Sequence, residues 1–138
     1  MRLSTKGRYA VMAMVDLANH GRKTPVSISD ISVRQGLPVS YLEQLLIKLR
    51  RQGLVESTRG QQGGYTLSHD PCEINVLEIM RAVDEPLHAT RCDPVKKVGC
   101  QGGAARCLTH NLWDGLSDNI TSYLASKTLA DIAPGAKS

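Results

Sequence analysis

The 138-residue sequence lacks the features of several classes of protein. It has no apolar run that approaches the roughly 18 residues a membrane span requires, and its first residues lack the apolar core of a secretory signal peptide. We therefore expect a cytoplasmic protein that does not enter a membrane. In a reducing compartment its four cysteines are expected to be metal ligands or free thiols, not a disulfide framework.

The residue groupings of common enzymes are also missing. No spacing is typical of paired catalytic carboxylates, of a Ser-His-Asp triad or of a Cys-His dyad. No Walker Lys-Ser/Thr pair follows the Gly-rich stretch RGQQGG at residues 59–64. We predict that the protein is not an enzyme, and its length suits one globular domain with an appended element.

Positive charge is concentrated in the first half of the chain. Residues 1–70 hold ten Lys or Arg against five Asp or Glu, whereas the second half has a net charge of −1. A polyanion such as nucleic acid is therefore expected to bind the first half. At this modest excess, the alternative is an ordinary solvated basic surface.

Apolar residues at helical spacing predict two helices before residue 37. The second is short, opens at a capping box that begins at Ser27 and is closed by Gly36. The first lies between Gly7 and Asn19, with Leu17 at the edge of its buried stripe. The predicted stripe consists of Val11, Met14, Val15 and Ala18.

The third helix, from Ser40 to Arg51, is predicted to be the recognition helix of a helix-turn-helix. Leucines at helical spacing give it a narrow apolar face, and the opposite face is polar and partly cationic, interrupted only by Ile47. A short helix and a tight turn at residues 36–39 precede it, as in DNA-binding helix-turn-helix units. For Ser40 and Glu43 the alternative is a capping box with no further role.

Two short strands, 54–58 and 65–67, flank the Gly-rich stretch and predict a hairpin. Directly after a helix-turn-helix such a hairpin is a wing, so residues 1–70 are predicted to form a winged helix-turn-helix DNA-binding domain. Arg59 at the base of the wing is placed to enter the minor groove. The predicted DNA contacts are Arg2, Ser40, Tyr41, Glu43, Gln44, Lys48, Arg50, Arg51, Arg59 and Gln61.

The second half is predicted to contain a connecting helix within residues 71–86, a loop at 87–109, a long helix and its end at 110–130, and a disordered tail at 131–138. The long helix has an apolar stripe too wide for the small preceding domain to cover. A symmetric partner is expected to bury it, and packing onto its own chain is the alternative. The predicted dimer-interface residues are Leu112, Trp113, Leu116, Ile120, Tyr123 and Leu124.

Residues 91–110 hold three cysteines and a histidine, enough to ligate one metal centre. Seven residues separate Cys92 from Cys100, six separate Cys100 from Cys107, and two separate Cys107 from His110. The closely spaced cysteine pairs of structural zinc sites are absent, and the long gaps favour an iron–sulfur cluster over zinc. Cys72 lies outside this group and is predicted to be a free thiol. A loop that binds nothing is a further alternative.

The chain resembles the IscR-type iron–sulfur cluster regulators, a branch of the Rrf-type winged-helix transcription factors. The resemblance covers nearly the whole chain. It rests on the segments MRLSTKGRYAVMAM, SYLEQLLIKLR, RGQQGGY, RAVDEPLHATRC and CLTHNLWDGLSD. The gaps between the cysteines are longer than is usual in this branch, and Gln61-Gln62 stands where the family commonly has Pro-Gly.

The resemblance implies a mainly α, winged-helix fold with a long C-terminal dimerisation helix. It further implies a homodimer that binds palindromic double-stranded DNA and represses or activates genes for iron–sulfur cluster assembly. One [2Fe-2S] cluster per subunit, supplied by the cluster-assembly machinery, would be held by Cys92, Cys100, Cys107 and His110. The alternative is a winged-helix regulator with a structural zinc site and no redox sensing.

Overall fold

A computed structural model describes residues 3–89 and 108–133 of the chain. These residues are mainly helical and include one two-stranded antiparallel sheet, which matches the predicted fold class. In this part of the chain, no helix has both the length and the apolar character needed to cross a membrane. In chain order the elements are α1 (Thr5–His20), α2 (Ile28–Gln35), α3 (Val39–Arg51), β1 (Val55–Thr58), β2 (Gly64–Leu67), a 3-10 turn (Pro71–Glu73), α4 (Val76–Ala82), α5 (His110–Ser126) and α6 (Leu129–Ile132).

Helix α1 lies at the centre of the core, and the prediction of its buried stripe was partly wrong. The helix begins at Thr5, and the predicted residues Val11 and Val15 are only half-buried. Alanines, which contribute little to an apolar pattern in the sequence, let neighbouring helices approach α1 closely. The fully buried face of α1 consists of Ala10, Ala13, Met14, Leu17 and Ala18.

The helix-turn-helix is formed by α2 and α3. The Ser27 hydroxyl accepts a hydrogen bond from the Asp30 N–H at 3.1 Å, and Gly36 ends α2 in the left-handed conformation with φ of 67°. Helix α3 begins at Val39, with Pro38 as its N-cap residue, so the alternative capping box at Ser40 does not form. The fixed φ of proline suits the start of a helix, which moves the helix boundary ahead of Ser40.

The wing is a regular hairpin whose strand β2 is also bonded to the segment before α2. Strands β1 and β2 pair in a register that places Val55 opposite Leu67. Tyr65 also exchanges two backbone hydrogen bonds with Val26, at 2.8 and 2.9 Å. Gly64 permits this contact, because a Cβ atom there would lie 2.2 Å from the Val26 carbonyl oxygen.

The second half of the chain packs around α4. Its capping residue Asn75 accepts a hydrogen bond from the Glu78 N–H at 3.0 Å. A small apolar cluster on α4 and the following segment also receives Val11 from α1 and two residues of α5, Ile120 and Leu124. The buried members of this cluster are Val76, Leu77, Met80 and Leu87.

The prediction of a disordered tail from residue 131 was wrong for its first three residues. A bridge between Asn75 and Thr128 returns the chain to the core, and Thr128 then caps α6 in a capping box with Asp131. Leu129 and Ala133 are buried. Residues 134–138 of the predicted tail lie outside the described part of the chain.

Candidate functional sites

Helix α3 is anchored by its leucines and turns its other side to solvent. With about 100° of rotation per residue, Ser40, Gln44, Ile47 and Arg51 lie opposite the leucines, and all four are exposed. This row, which we call the outward face of α3, is available to a ligand as large as a DNA groove. The buried leucines are Leu42, Leu45, Leu46 and Leu49.

One flank of the outward face points toward the wing. Glu43 is exposed there, and Nη1 of Arg50 donates a hydrogen bond to Oγ of Ser57 on β1 at 3.1 Å. This contact ties the end of α3 to the hairpin. Arg59, predicted at the base of the wing, instead lies with Gln61 at the tip of the same hairpin, and both are exposed. Helix α3 and the wing therefore present predicted DNA contacts side by side.

The other flank is occupied by contacts with α1 and with the end of α4. Tyr41 is half-buried, its hydroxyl lies 3.1 Å from Oγ1 of Thr5, and its ring packs edge-on against Tyr9 at 5.7 Å. Nζ of Lys48 lies 3.6 Å from Oδ2 of Asp84. Both residues were predicted to contact DNA, and the structure gives each of them a partner within the chain. Arg2 lies outside the described residues.

Of the four candidate metal ligands, the structure describes only His110. Cys92, Cys100 and Cys107 lie outside the described residues, whereas His110 is the first residue of α5 and is half-buried. Residues 3–89 and 108–133 contain no cluster of three or more side chains that could hold a metal ion. Cys72 is a free, exposed thiol.

The segment that leads toward Cys92 is fixed against α5. The Ala89 N–H donates a hydrogen bond to Oγ of Ser117 at 2.9 Å. Ser117 follows His110 by seven residues, so the two side chains project from the same face of α5, about 10 Å apart along its axis. The chain therefore leaves the described residues at Ala89 beside the face of α5 that carries His110.

The apolar stripe of α5 is divided between two directions. Ile120 and Leu124, predicted as dimer-interface residues, pack against the cluster around α4 of the same chain. The other edge of the stripe is exposed, and the exposed fractions are 62% for Leu112, 44% for Leu116 and 63% for Tyr123. Trp113 is half-buried, and its indole N–H donates to Oγ1 of Thr109 at 2.8 Å.

Two polar contacts at the edges of these sites could not be found from the sequence. Glu85 is buried and accepts hydrogen bonds from the backbone N–H and the hydroxyl of Ser4, at the start of α1. Asp16 is buried in α1 and accepts a bidentate pair of hydrogen bonds from Arg34 on α2. The acidic residues are unremarkable in the sequence pattern, and only the fold brings their partners to them.

A family model and individual relatives both identify the chain as a member of a family of transcription regulators. The Rrf2 family model, described as iron-dependent transcriptional regulator, matches residues 3–135. The HTH-type transcriptional regulator IscR of Photorhabdus laumondii is 55% identical over 132 residues, which cover 96% of this chain and 79% of the relative. The corresponding protein of Serratia proteamaculans is 54% identical over the same shares.

Solved structures of transcription regulators are also similar to this chain. The structure of T. potens IscR superposes with a TM-score of 0.75 at 40% identity, covering 96% of this chain and 85% of that one. CymR, the global cysteine regulator of B. subtilis, gives a TM-score of 0.75 at 34% identity and covers 96% of both chains. The relatives are transcription regulators, as expected for a chain that is not an enzyme.

Proposed function

We propose, from the premise that this chain belongs to the Rrf2 family of DNA-binding transcription regulators, that it is a homodimer whose DNA binding responds to an iron–sulfur cluster. Each subunit would hold one [2Fe-2S] cluster through Cys92, Cys100, Cys107 and His110. The cluster would come from the cluster-assembly machinery, and the regulated genes would include those for cluster assembly. The observation that supports the proposal most is the hydrogen bond from Ala89 to Ser117, which holds the chain beside the face of α5 that carries His110.

The described residues around His110 fit such a cluster. Three residues of extended chain span at most about 10 Å, so Cys92 can reach the His110 face from Ala89, and Cys107 is equally close to His110 in sequence. When bound, a cluster with three thiolates and one imidazole supplies a redox-active group in which the neutral, protonatable histidine is the weaker ligand. His110 is half-buried at the first turn of α5.

The exposed edge of α5 supports the homodimer. None of the α5 residues is buried in the single chain, although the helix carries Leu112, Leu116 and Tyr123 along one line. Exposed apolar rows of this kind are typical of interaction surfaces. A second copy of α5 in a symmetric arrangement would cover the row and would hold two recognition helices in a fixed spacing.

Helix α3 and the wing are proposed to contact different grooves of the DNA. Ser40, Glu43 and Gln44 would contact base edges in the major groove, with Tyr41 at the flank. Arg59 would enter the minor groove, and Gln61 would contact DNA beside it. The phosphate contacts would come from Arg2, Lys48, Arg50 and Arg51.

The cluster is proposed to act on DNA choice through the position of α5. The ligand-bearing segment joins α4 to α5, so cluster binding would order this junction and set the spacing of the two recognition helices. DNA selection from a random library measures this directly, with cluster-loaded protein, cluster-free protein and two cysteine variants compared under anaerobic conditions.

The Cys92→Ala protein is expected to lose one class of selected sites and to retain another. Cys72→Ala is the matched control, because it also removes one thiol but from an exposed position outside the ligand set. It is expected to select the same sites as the unmodified protein. Identical selections by Cys92→Ala and by the cluster-loaded protein would refute the proposed response.

A further inference from the structure

The end of α4 is built around a residue in an uncommon backbone conformation. Asp84 has a φ of 58°, and no other non-glycine residue among residues 3–89 and 108–133 has a positive φ. The Asp84 N–H donates to the Arg81 carbonyl at 3.1 Å and the Glu85 N–H donates to the Met80 carbonyl at 2.9 Å, a pattern that closes helices with a left-handed residue. Glycine fits this position without strain, and aspartate is one of the few other residues that adopt it as a single residue.

Two lysines from the DNA-binding domain meet at this residue. Nζ of Lys48, on α3, lies 3.6 Å from Oδ2 of Asp84, and Nζ of Lys6, on α1, donates a hydrogen bond to the Asp84 carbonyl oxygen at 3.2 Å. The side chain of Asp84 is 77% exposed and that of Lys48 is 38% exposed. Both interactions are therefore in contact with solvent and can be exchanged for others.

Lys48 is also a neighbour of the outward face of α3. It follows Gln44 by four residues and precedes Arg51 by three, the spacings at which side chains are adjacent on a helix. The flexible lysine chain can therefore direct its charge either to Asp84 or to a phosphate that lies against α3. Because exposed ion pairs are weak, the dense charge of a DNA backbone can displace the carboxylate.

The same short segment joins this ion pair to the candidate ligand segment. Glu85 is buried against Ser4, Leu87 is buried beside α5, and Ala89 is bonded to Ser117. The backbone of Asp84 thus lies between the DNA-binding domain and the segment that leads toward Cys92, and its exposed carboxylate is within reach of Lys48.

We propose that Asp84 is a positioning residue whose carboxylate competes with the DNA backbone for Lys48. In the free protein the carboxylate holds Lys48 away from the outward face of α3, and on DNA this lysine turns to a phosphate. The carboxylate thereby lowers the affinity of the protein for any duplex, whatever its sequence. This inference rests on the phosphate contact that is proposed for Lys48.

The test measures the affinity of the full chain for a duplex of arbitrary sequence, by fluorescence anisotropy over a series of salt concentrations. Phosphate contacts do not depend on sequence, so no operator is needed. Asp84→Asn is expected to bind about fivefold tighter at low salt, with a salt dependence steeper by about one unit of slope. Glu73→Gln, which removes an exposed acid from the 3-10 turn, is the charge-matched control and is expected to bind as the unmodified protein does.

Two further variants test whether the gain in affinity comes from releasing Lys48, and not from a change in the backbone or in the overall charge. Asp84→Gly also removes the carboxylate and relieves the positive φ, so the same gain is expected without any loss of folding. In a Lys48→Gln background, Asp84→Asn is expected to give less than half of its gain. An equal gain in both backgrounds, or no gain in either Asp84 variant, would overturn the inference. If Lys48→Gln alone binds as tightly as the unmodified protein, the phosphate contact itself is refuted.

Discussion

The carboxylate of Asp16, buried in α1, accepts hydrogen bonds from Nε and Nη2 of Arg34 on α2, at 2.9 and 2.8 Å. Gln35 donates a third hydrogen bond to the same carboxylate at 3.0 Å. Burial raises the pKa of Asp16, but the hydrogen bonds and the charge of Arg34 outweigh it, so the pKa lies below its ordinary value of 3.8. The helix-turn-helix is thus fixed to the central helix by an ionised side chain.

Asp16→Asn is expected to destabilise the protein by about 2 kcal/mol, because the replacement leaves the buried site with a weaker acceptor for Arg34. Chemical denaturation at neutral pH measures the change. Glu56→Gln, at an exposed position of β1, is the control and is expected to change the free energy of unfolding by less than about 0.5 kcal/mol. An equal effect of the two substitutions would contradict the structural role of the Asp16–Arg34 pair.

The same pair predicts how stability depends on pH. Because the pKa of Asp16 is lower in the folded state, its contribution is fully present above the ordinary value of 3.8 and is lost as the pH falls through the folded pKa. Denaturation between neutral pH and pH values below 3.8 is expected to show a steeper loss of stability for the unmodified protein than for Asp16→Asn. Parallel curves for the two proteins would refute this assignment.

The fold was predictable where the sequence pattern is strong. Leucines at helical spacing identified the buried face of α3, because large apolar side chains dominate such a pattern. Ala10 and Ala13, on the buried face of α1, escaped the pattern, since small side chains contribute little to it. Helix α6 escaped for another reason: its burial depends on the bridge from Asn75 to Thr128, which joins segments far apart in the chain.

The candidate sites likewise include residues that the sequence pattern could predict and contacts that it could not. Residue type and spacing were enough to identify Glu43, Gln44 and Arg59 as exposed polar groups on α3 and the wing. The contacts of Lys48 with Asp84 and of Ser4 with Glu85 depend on how α4 packs against the first domain. Local sequence does not encode such pairs, so no pattern in the sequence could indicate them.

Glu43→Ala is expected to broaden the choice of DNA sites. A carboxylate can only accept hydrogen bonds, so on the flank of α3 it favours cytosine N4 and disfavours other groups at that position. Its removal should lower discrimination between the best site and a single-base variant by about 1–3 kcal/mol, with little change in affinity at the best site. Competition binding with a set of variant duplexes measures both quantities. A general loss of binding would instead assign Glu43 a structural role.

Leu116→Asp is expected to convert the proposed homodimer into monomers. The leucine lies between Leu112 and Tyr123 in the exposed apolar row, and a charge there would be buried at the interface without a partner. Sedimentation equilibrium gives the mass of each species. Ser122→Asp introduces the same charge at an exposed position on another side of α5 and is expected to leave the dimer intact. Monomeric unmodified protein, or dimeric Leu116→Asp, would contradict the proposed interface.

The proposal of an iron–sulfur-responsive regulator is tested most directly on protein purified without oxygen, by its visible spectrum together with iron, acid-labile sulfide and zinc per chain. We expect red-brown protein with about two irons and two sulfides per chain, lost in His110→Ala and retained in Cys72→Ala. Colourless protein with one zinc per chain, or a cluster that persists in His110→Ala, would contradict the account.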